Sequence, residues 1–152
     1  MGLKPKNGAR HGCFAQTSKG MIPYGLKDNC MKIKRQIIVF DAPDLAVEST
    51  FWAGLLDGTV VADDDDGWHS VVVDGEWRLG IQLAPNHVPP DWPNGTQQQV
   101  HLDLHVDDLK AAHEEAIALG ARLLKPADDL EADEAFQVYA DPAGHPFCLG
   151  RH

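Results

Sequence analysis

His101-Leu102-Asp103-Leu104-His105-Val106-Asp107-Asp108-Leu109 decides the reading of this chain, because an earlier stretch matches it position by position. That stretch is Ile37-Ile38-Val39-Phe40-Asp41-Ala42-Pro43-Asp44-Leu45, 64 residues upstream. In both, an alternating run ends at an Asp-Leu step and a helical pattern follows. Asp44 and Asp108 stand where helix N-caps belong. Behind the first, Val47, Phe51, Trp52, Leu55 and Leu56 recur at helical spacing; behind the second, Leu109, Ala112, Ala116, Ile117 and Leu119 share one face. The helices close at Leu56-Asp57-Gly58 and Leu119-Gly120-Ala121, with Gly120 as a stop signal. A repeat of this length means two copies of one supersecondary unit packed together, with a cavity between them.

Outward from that core, the first copy continues through Val60-Val61, Trp68–Val73 and Trp77–Leu83, the last two joined by the hairpin signal Asp74-Gly75. The second copy continues through Arg122–Leu124, Ala135–Ala140 and His145–Gly150, with Asp141-Pro142-Ala143-Gly144 as a turn. Each half reads βαβββ. The expected class is α+β: two βαβββ repeats forming a curved mixed-sheet cup with helices on the outside. Repeat one is assigned to residues 33–84, a proline-rich linker to 85–97 and repeat two to 98–152. Residues 1–31, rich in Gly, Lys and Asn with no sustained period, read as a disordered leader or extension.

The composition narrows the function classes. With 43% apolar and 24% charged residues over 152 positions, the chain has the makings of a sizeable core. A formal charge of −10 argues against non-specific nucleic-acid binding, which needs a basic surface. Asp63-Asp64-Asp65-Asp66 reads as a solvated turn rather than a calcium loop. Cys13, Cys30 and Cys148 form no Cys-x-x-Cys pair, so neither a disulfide framework nor a zinc ribbon is indicated, and a cytoplasmic location is expected. No apolar run approaches a membrane span.

Strand parity assigns faces. Leu102, Leu104 and Val106 point one way, and His101, Asp103, His105 and Asp107 the other. Two readings of the polar face stay open: the solvated side of a sheet, or the wall of a binding cavity.

The paired units, the His101–Leu109 run, Leu119-Gly120-Ala121, Asp141-Pro142-Ala143-Gly144-His145-Pro146-Phe147 and Phe51-Trp52-Ala53-Gly54-Leu55-Leu56 together resemble the glyoxalase, bleomycin-resistance and extradiol-dioxygenase superfamily, also called the vicinal oxygen chelate superfamily, and within it the glyoxalase-like branch. The resemblance covers about residues 33–150. It implies a cup that, in metal-dependent members, holds a divalent ion on His, Gln or Glu from the first and last strands of each unit. Carried over residue by residue, those positions hold Ile37, Gln82, His101 and Cys148. Ile37 cannot bind a metal, an amide is a weak ligand, and the usual carboxylate is replaced by a thiol. No metal cofactor is therefore expected; should one bind, His101, Gln82 and Cys148 are its candidate ligands. Ligand-binding candidates are Gln82, His101, Asp103, His105 and Cys148, with Trp68 to stack on a planar group and His69 beside it. His101 and His105 are the candidate acid–base residues. His145 sits where the superfamily often has Asn and is assigned to the turn, and His113 to an exposed helix surface. The function that follows is small-molecule binding of the resistance, sequestration or sensing type, by a homodimer. The alternative is a lyase, isomerase or dioxygenase-type enzyme with an altered metal site.

Overall fold

In the computed structural model, which describes residues 14–17, 20–23, 33, 35–64, 67–132 and 134–151, the chain falls into two units, 1–36 and 37–152. In the first, β1 (Phe14–Thr17) and β2 (Gly20–Pro23) pair antiparallel, Thr17 opposite Gly20. Most of the leader expected over residues 1–31 lies outside the described residues.

The second unit carries the repeat. Its first half runs β3 (Ile38–Ala42), α1 (Leu45–Leu55), β4 (Thr59–Ala62), β5 (Trp68–Val73) and β6 (Glu76–Leu83). Its second half runs β7 (Leu102–His105), α2 (Leu109–Leu119), β8 (Arg122–Lys125), β9 (Phe136–Ala140) and β10 (Pro146–Gly150). The architecture is α+β, two βαβββ repeats. Each builds a four-stranded mixed sheet, ordered β3-β6-β5-β4 and β7-β10-β9-β8. In each, the strand before the helix runs parallel to the last strand, and the other pairs are antiparallel. The βαβββ order requires this, because the helix carries the chain back before the sheet resumes.

Local signals set the boundaries. Asp44 Oδ1 accepts from Val47 N–H at 3.0 Å, and Asp108 Oδ1 from Ala111 N–H at 2.9 Å, so both helices start on the same side-chain cap. Gly120 ends α2 at φ 113°, a left-handed position that glycine takes without strain. In the first repeat the left-handed residue is Asp57, φ 51°, so the helix-to-strand step is one residue longer there. Asp74 (φ 53°) and Gly75 (φ 76°) make the tight turn between β5 and β6 that an Asp-Gly pair favours.

The two helices are buried differently. In α2 only Leu109 and Ala116 are fully buried. In α1, Leu45, Glu48, Ser49, Phe51, Trp52 and Ala53 all are. α1 lies on its own sheet, where Phe40 stacks on Trp52 at 5.1 Å, and it also meets β10, where Phe147 lies 5.8 Å from Phe51 and 5.4 Å from Trp52. Tyr139 stacks on Phe147 at 5.4 Å. One aromatic core thus runs through both repeats, with α1 at its centre.

The matched caps give a direct check on the repeat. Asp44→Ala and Asp108→Ala should each lower unfolding free energy by about 1 kcal/mol, with the double substitution additive in urea denaturation. A large loss at one site and none at the other would show that the two helix starts are not equivalent.

Candidate functional site

Each sheet has one face on a helix and one face open. In the first repeat, Phe40 stacks on Trp52 and His69 Nδ1 lies 2.8 Å from Ser49 Oγ, so both face α1. Adjacent strand residues point oppositely, so Trp68 and its cross-strand partner Gln82, itself opposite Asp41, lie on the open face. The Trp68 ring lies over Gly80, where a Cβ would collide with it, meets Trp77 edge-on at 6.0 Å and donates from Nε1 to Ser70 Oγ at 3.1 Å. His69, expected next to Trp68 on the cup, is therefore turned into the sheet–helix interface, and Ser70 shares Trp68's face.

In the second repeat, Tyr139 faces α2, its hydroxyl 2.9 Å from His113 Nδ1. His113 is thus half-buried and bonded rather than on an exposed surface. Phe147 and Leu102 align with Tyr139. Cys148 and Asp103 face each other across the β10–β7 pair on the open side. There a cavity of about 260 Å³ is lined by His101, Asp103, His105, Glu134, Phe136 and Cys148, with Leu104 and Gly150. Four of the residues singled out from sequence come together here: His101, Asp103, His105 and Cys148. Gln82 and Trp68 do not; none of the cavity's lining residues comes from repeat one. A larger cavity, about 300 Å³, lies between the end of α1, α2 and β7, with a mostly hydrocarbon lining.

His101 Nε2 stands 3.5 Å from Asp103 Oδ1, and its Nδ1 lies 3.3 Å from the Gln98 amide nitrogen. Gln98 Oε1 is buried without a partner. Burial, then hydrogen bonding and charge from Asp103, push the Cys148 thiol up to about 11. It is a protonated thiol at neutral pH and a poor nucleophile. Lys125 Nζ lies over the Phe136 ring, 5.0 Å from its centroid. Gln98, Glu134 and Phe136 were not singled out from sequence; Gln98 and Glu134 lie outside the strands and Phe136 is the first residue of β9, where period-two reasoning has little purchase.

A second cluster of chemistry-bearing groups is buried between the repeats. Glu48, on α1, accepts from Trp52 Nε1–H at 2.9 Å and from Ala143 N–H at 2.9 Å. Asp141 accepts from Trp52 Nε1–H at 3.2 Å, from His145 N–H at 2.7 Å and from His145 Nδ1–H at 3.0 Å. His145, assigned to a turn, is thereby bonded into an ionic network, with Phe40 and His87 rings 4.9 and 4.8 Å away. Each carboxylate oxygen of Glu48 and Asp141 has a hydrogen-bond donor, so both groups are engaged in holding the 141–145 turn against α1. A sequence signal existed: Glu48 stands one turn before Trp52 among apolar helix positions.

Its titration follows from burial. Burial lifts Glu48 to about 7 against the opposing pull of His145. For His145 burial works downward, but hydrogen bonds to Asp141 and Glu48 and their charges outweigh it and lift the imidazole to about 9. For Asp141 burial works upward, and hydrogen bonds to His145 and Glu48 outweigh it, holding the carboxyl below its ordinary value. Glu48 and His145 both bind a proton more tightly folded than unfolded. Their contribution is complete below 4.5 and 6.5 respectively and is lost as pH rises through about 7 and about 9. Asp141 acts oppositely: its contribution is complete above its ordinary value of 3.8 and is lost as pH falls from there through its lowered value.

Comparison with known proteins bears on the whole unit. A family model described as a glyoxalase-like domain matches residues 37–150. No curated protein matches the chain. Among solved structures, a genomically encoded fosfomycin resistance protein, FosX, from Listeria monocytogenes is 14% identical, with 80% of this chain and 93% of that one covered at a TM-score of 0.61. A glyoxalase-related enzyme from Fulvimarina pelagi is 20% identical, covering 79% and 89%, TM-score 0.58. A bleomycin-binding protein complexed with bleomycin is 18% identical, covering 79% and 99%, TM-score 0.53. At these identities the likeness establishes the fold.

Stability should therefore fall from pH 5 to pH 9, by an amount on the order of several kcal/mol attributable to the buried cluster. Urea denaturation at pH 5, 7 and 9 measures it, and His145→Asn should flatten the decline above pH 6.5. An unchanged slope in His145→Asn would remove this cluster as its source.

Proposed function

Since the chain belongs to the glyoxalase-like family, we propose that it binds a small, planar, cationic organic molecule on the open face of its second repeat, with a second copy of the chain completing the cup. The observation that carries the reading is the lining of the 260 Å³ cavity. An exposed aromatic face, Phe136, stands with two carboxylates, Asp103 and Glu134, and two imidazoles, His101 and His105. A cation over an aromatic ring beside a carboxylate is held by both the ring quadrupole and the charge. Lys125 already takes that place above Phe136, and an incoming cation replaces it. The formal charge of −10 favours the same sign of ligand at long range.

The second copy is inferred from what one chain leaves open. β3 and β7 are edge strands, each paired on one side only. Trp68, Gln82 and the exposed Val39 and Val61 face outward from sheet one, while the cavity on sheet two draws none of its lining from repeat one. Sheet one of one copy set over sheet two of another brings Trp68 and Gln82 to His101 and Cys148, and does so twice in a two-fold dimer. The role is sequestration, resistance or sensing, in a reducing cytoplasm where a half-buried thiol persists.

The family's oxygen-rich metal site does not fit these residues. Ile37 offers hydrocarbon where a ligand is needed, and Cys148 is a thiol in the carboxylate's position. No catalytic step is assigned to a hard divalent ion here.

Sedimentation at micromolar concentration should give a dimer. Small aromatic cations should raise the melting temperature, and anionic or neutral analogues of the same size should not. Phe136→Ala should weaken the best cation by roughly 3- to 30-fold, the value of a cation–aromatic contact. Stabilisation by anions instead, or an unchanged affinity in Phe136→Ala, would defeat this assignment.

A further inference from the structure

The larger cavity, about 300 Å³ between the end of α1, α2 and β7, takes no part in recognition on the open face. Its hydrocarbon comes from Leu55 and Leu56 at the end of α1, Leu104 and Val106 at β7, Ala112 on α2 and Leu149 on β10. Leu149 is fully buried, while the other five stay half-buried on the margin of the core. Leu104 points to this helix side by the same parity that sends Asp103 and His105 to the open one.

Contacts made elsewhere hold the space open. α1 and α2 already touch where Gly54 passes Leu119: a Cβ at Gly54 would stand 2.6 Å from Leu119 Cδ2, so the helices come no closer. Just beyond, Asp57 takes its left-handed turn, and Gly58 lies so near β5 that a Cβ there would fall 2.7 Å from the Val72 carbonyl oxygen. The end of α1 is thereby pinned to its own sheet, and Leu55 and Leu56 are not free to slide inward and close the gap.

Charge at the mouth identifies one end of an occupant. Glu115 is an exposed carboxylate in the lining, and its neighbours one turn away on α2 are Ala111, Ala112, Ala118 and Leu119, none of which can pair with it. Among the described residues no ion pair engages it. Asp103 adds a second acidic group to the lining, which holds no lysine, arginine, hydroxyl or benzenoid ring. We propose that this cavity binds a small aliphatic ammonium ion, its hydrocarbon chain among the leucines and its charged end at Glu115.

Size and sign both restrict the ligand. The volume is roughly twice that of a ~150 Å³ cavity that takes up benzene, room for a chain of roughly six to ten carbons. An aliphatic carboxylate meets like charge at the mouth, and a planar aromatic cation finds no Phe, Tyr or Trp ring to stack on. Asp103, Leu104 and His105 belong to the linings of both cavities, so β7 is the wall between two sites of different selectivity. The aliphatic site does not depend on the aromatic-cation reading of the open face.

Calorimetry on the full chain with n-butyl-, n-hexyl- and n-octylammonium, and with hexanoate, tests the assignment. Each methylene should tighten binding roughly three- to fourfold, the worth of one buried methylene, up to the length that fills the cavity. Glu115→Gln should weaken hexylammonium roughly two- to fivefold, and hexanoate should bind at least roughly tenfold more weakly than the amine. Ala112→Phe, which fills the space, should abolish hexylammonium binding and leave aromatic-cation binding unchanged, whereas Phe136→Ala should leave hexylammonium unchanged. Loss of hexylammonium binding in Phe136→Ala puts the amine on the open face and overturns the site. Affinity independent of chain length overturns it as well, and so does hexanoate binding as tightly as the amine. Should Ala112→Phe not fold, Glu115→Gln on the exposed side of α2 and Phe136→Ala decide the matter. Aromatic cations failing to bind while the amine series behaves as stated defeats the open-face reading alone and upholds this one.

Discussion

The indole N–H of Trp52, held between the Glu48 and Asp141 carboxylates, ties this fold together. Two acids and an imidazolium sit where little solvent reaches, which is costly unless every charge and lone pair is matched. Glu48 takes a backbone N–H from Ala143 and Asp141 takes two bonds from His145. The positive ring offsets the Asp141 charge, and burial lifts Glu48 to about 7, where its own charge is partly relieved. Because Glu48 belongs to repeat one and the 141–145 turn to repeat two, this matching is also what fixes one repeat against the other. The linker adds to it, with His87 Nε2 3.1 Å from the Ala143 carbonyl oxygen.

That arrangement explains the unequal fates of two helices with matching starts. α1 is packed by its own sheet and by Phe147, so it tolerates almost no polar side chain that is not bonded. α2 keeps most of its surface in water and carries Glu114, Glu115 and Lys110 there. Among the described residues, the open faces are broad sheet surfaces that no helix covers. The chemistry gathers on the one that has histidine and carboxylate at alternate positions.

Much of this was readable from the amino-acid order. The 64-residue offset, the Asp caps, the Gly120 stop and the Asp74-Gly75 turn are short-range signals, each set by a residue's own conformational or hydrogen-bonding preference. Strand parity was enough to bring His101, Asp103 and His105 to one side, while Cys148 was placed beside them by the family resemblance. The same parity forbids Trp68 and its neighbour His69 from sharing a face, which is why His69 belongs to Ser49 instead. What stayed hidden depends on distance along the chain. Glu48 and Ala143 are 95 positions apart, and nothing local to either marks the bond. Gln98 escaped notice for a related reason, since it acts on a ring three residues on from outside any regular element.

The central position of α1 has a consequence for how the protein is made. During synthesis the first repeat emerges with its caps, turn and sheet pairings all available, but Phe51 and Trp52 still lack the partners that exclude water from one of their sides. Those partners, the 141–145 turn and Phe147, arrive roughly ninety residues later, several seconds at ordinary translation speeds. Until then the nascent chain exposes two large aromatic rings and an uncompensated Glu48 on the same helix. The repeats are alike in outline, yet they are not interchangeable folding units: the first waits for the last strand pair of the second before its own helix is sealed.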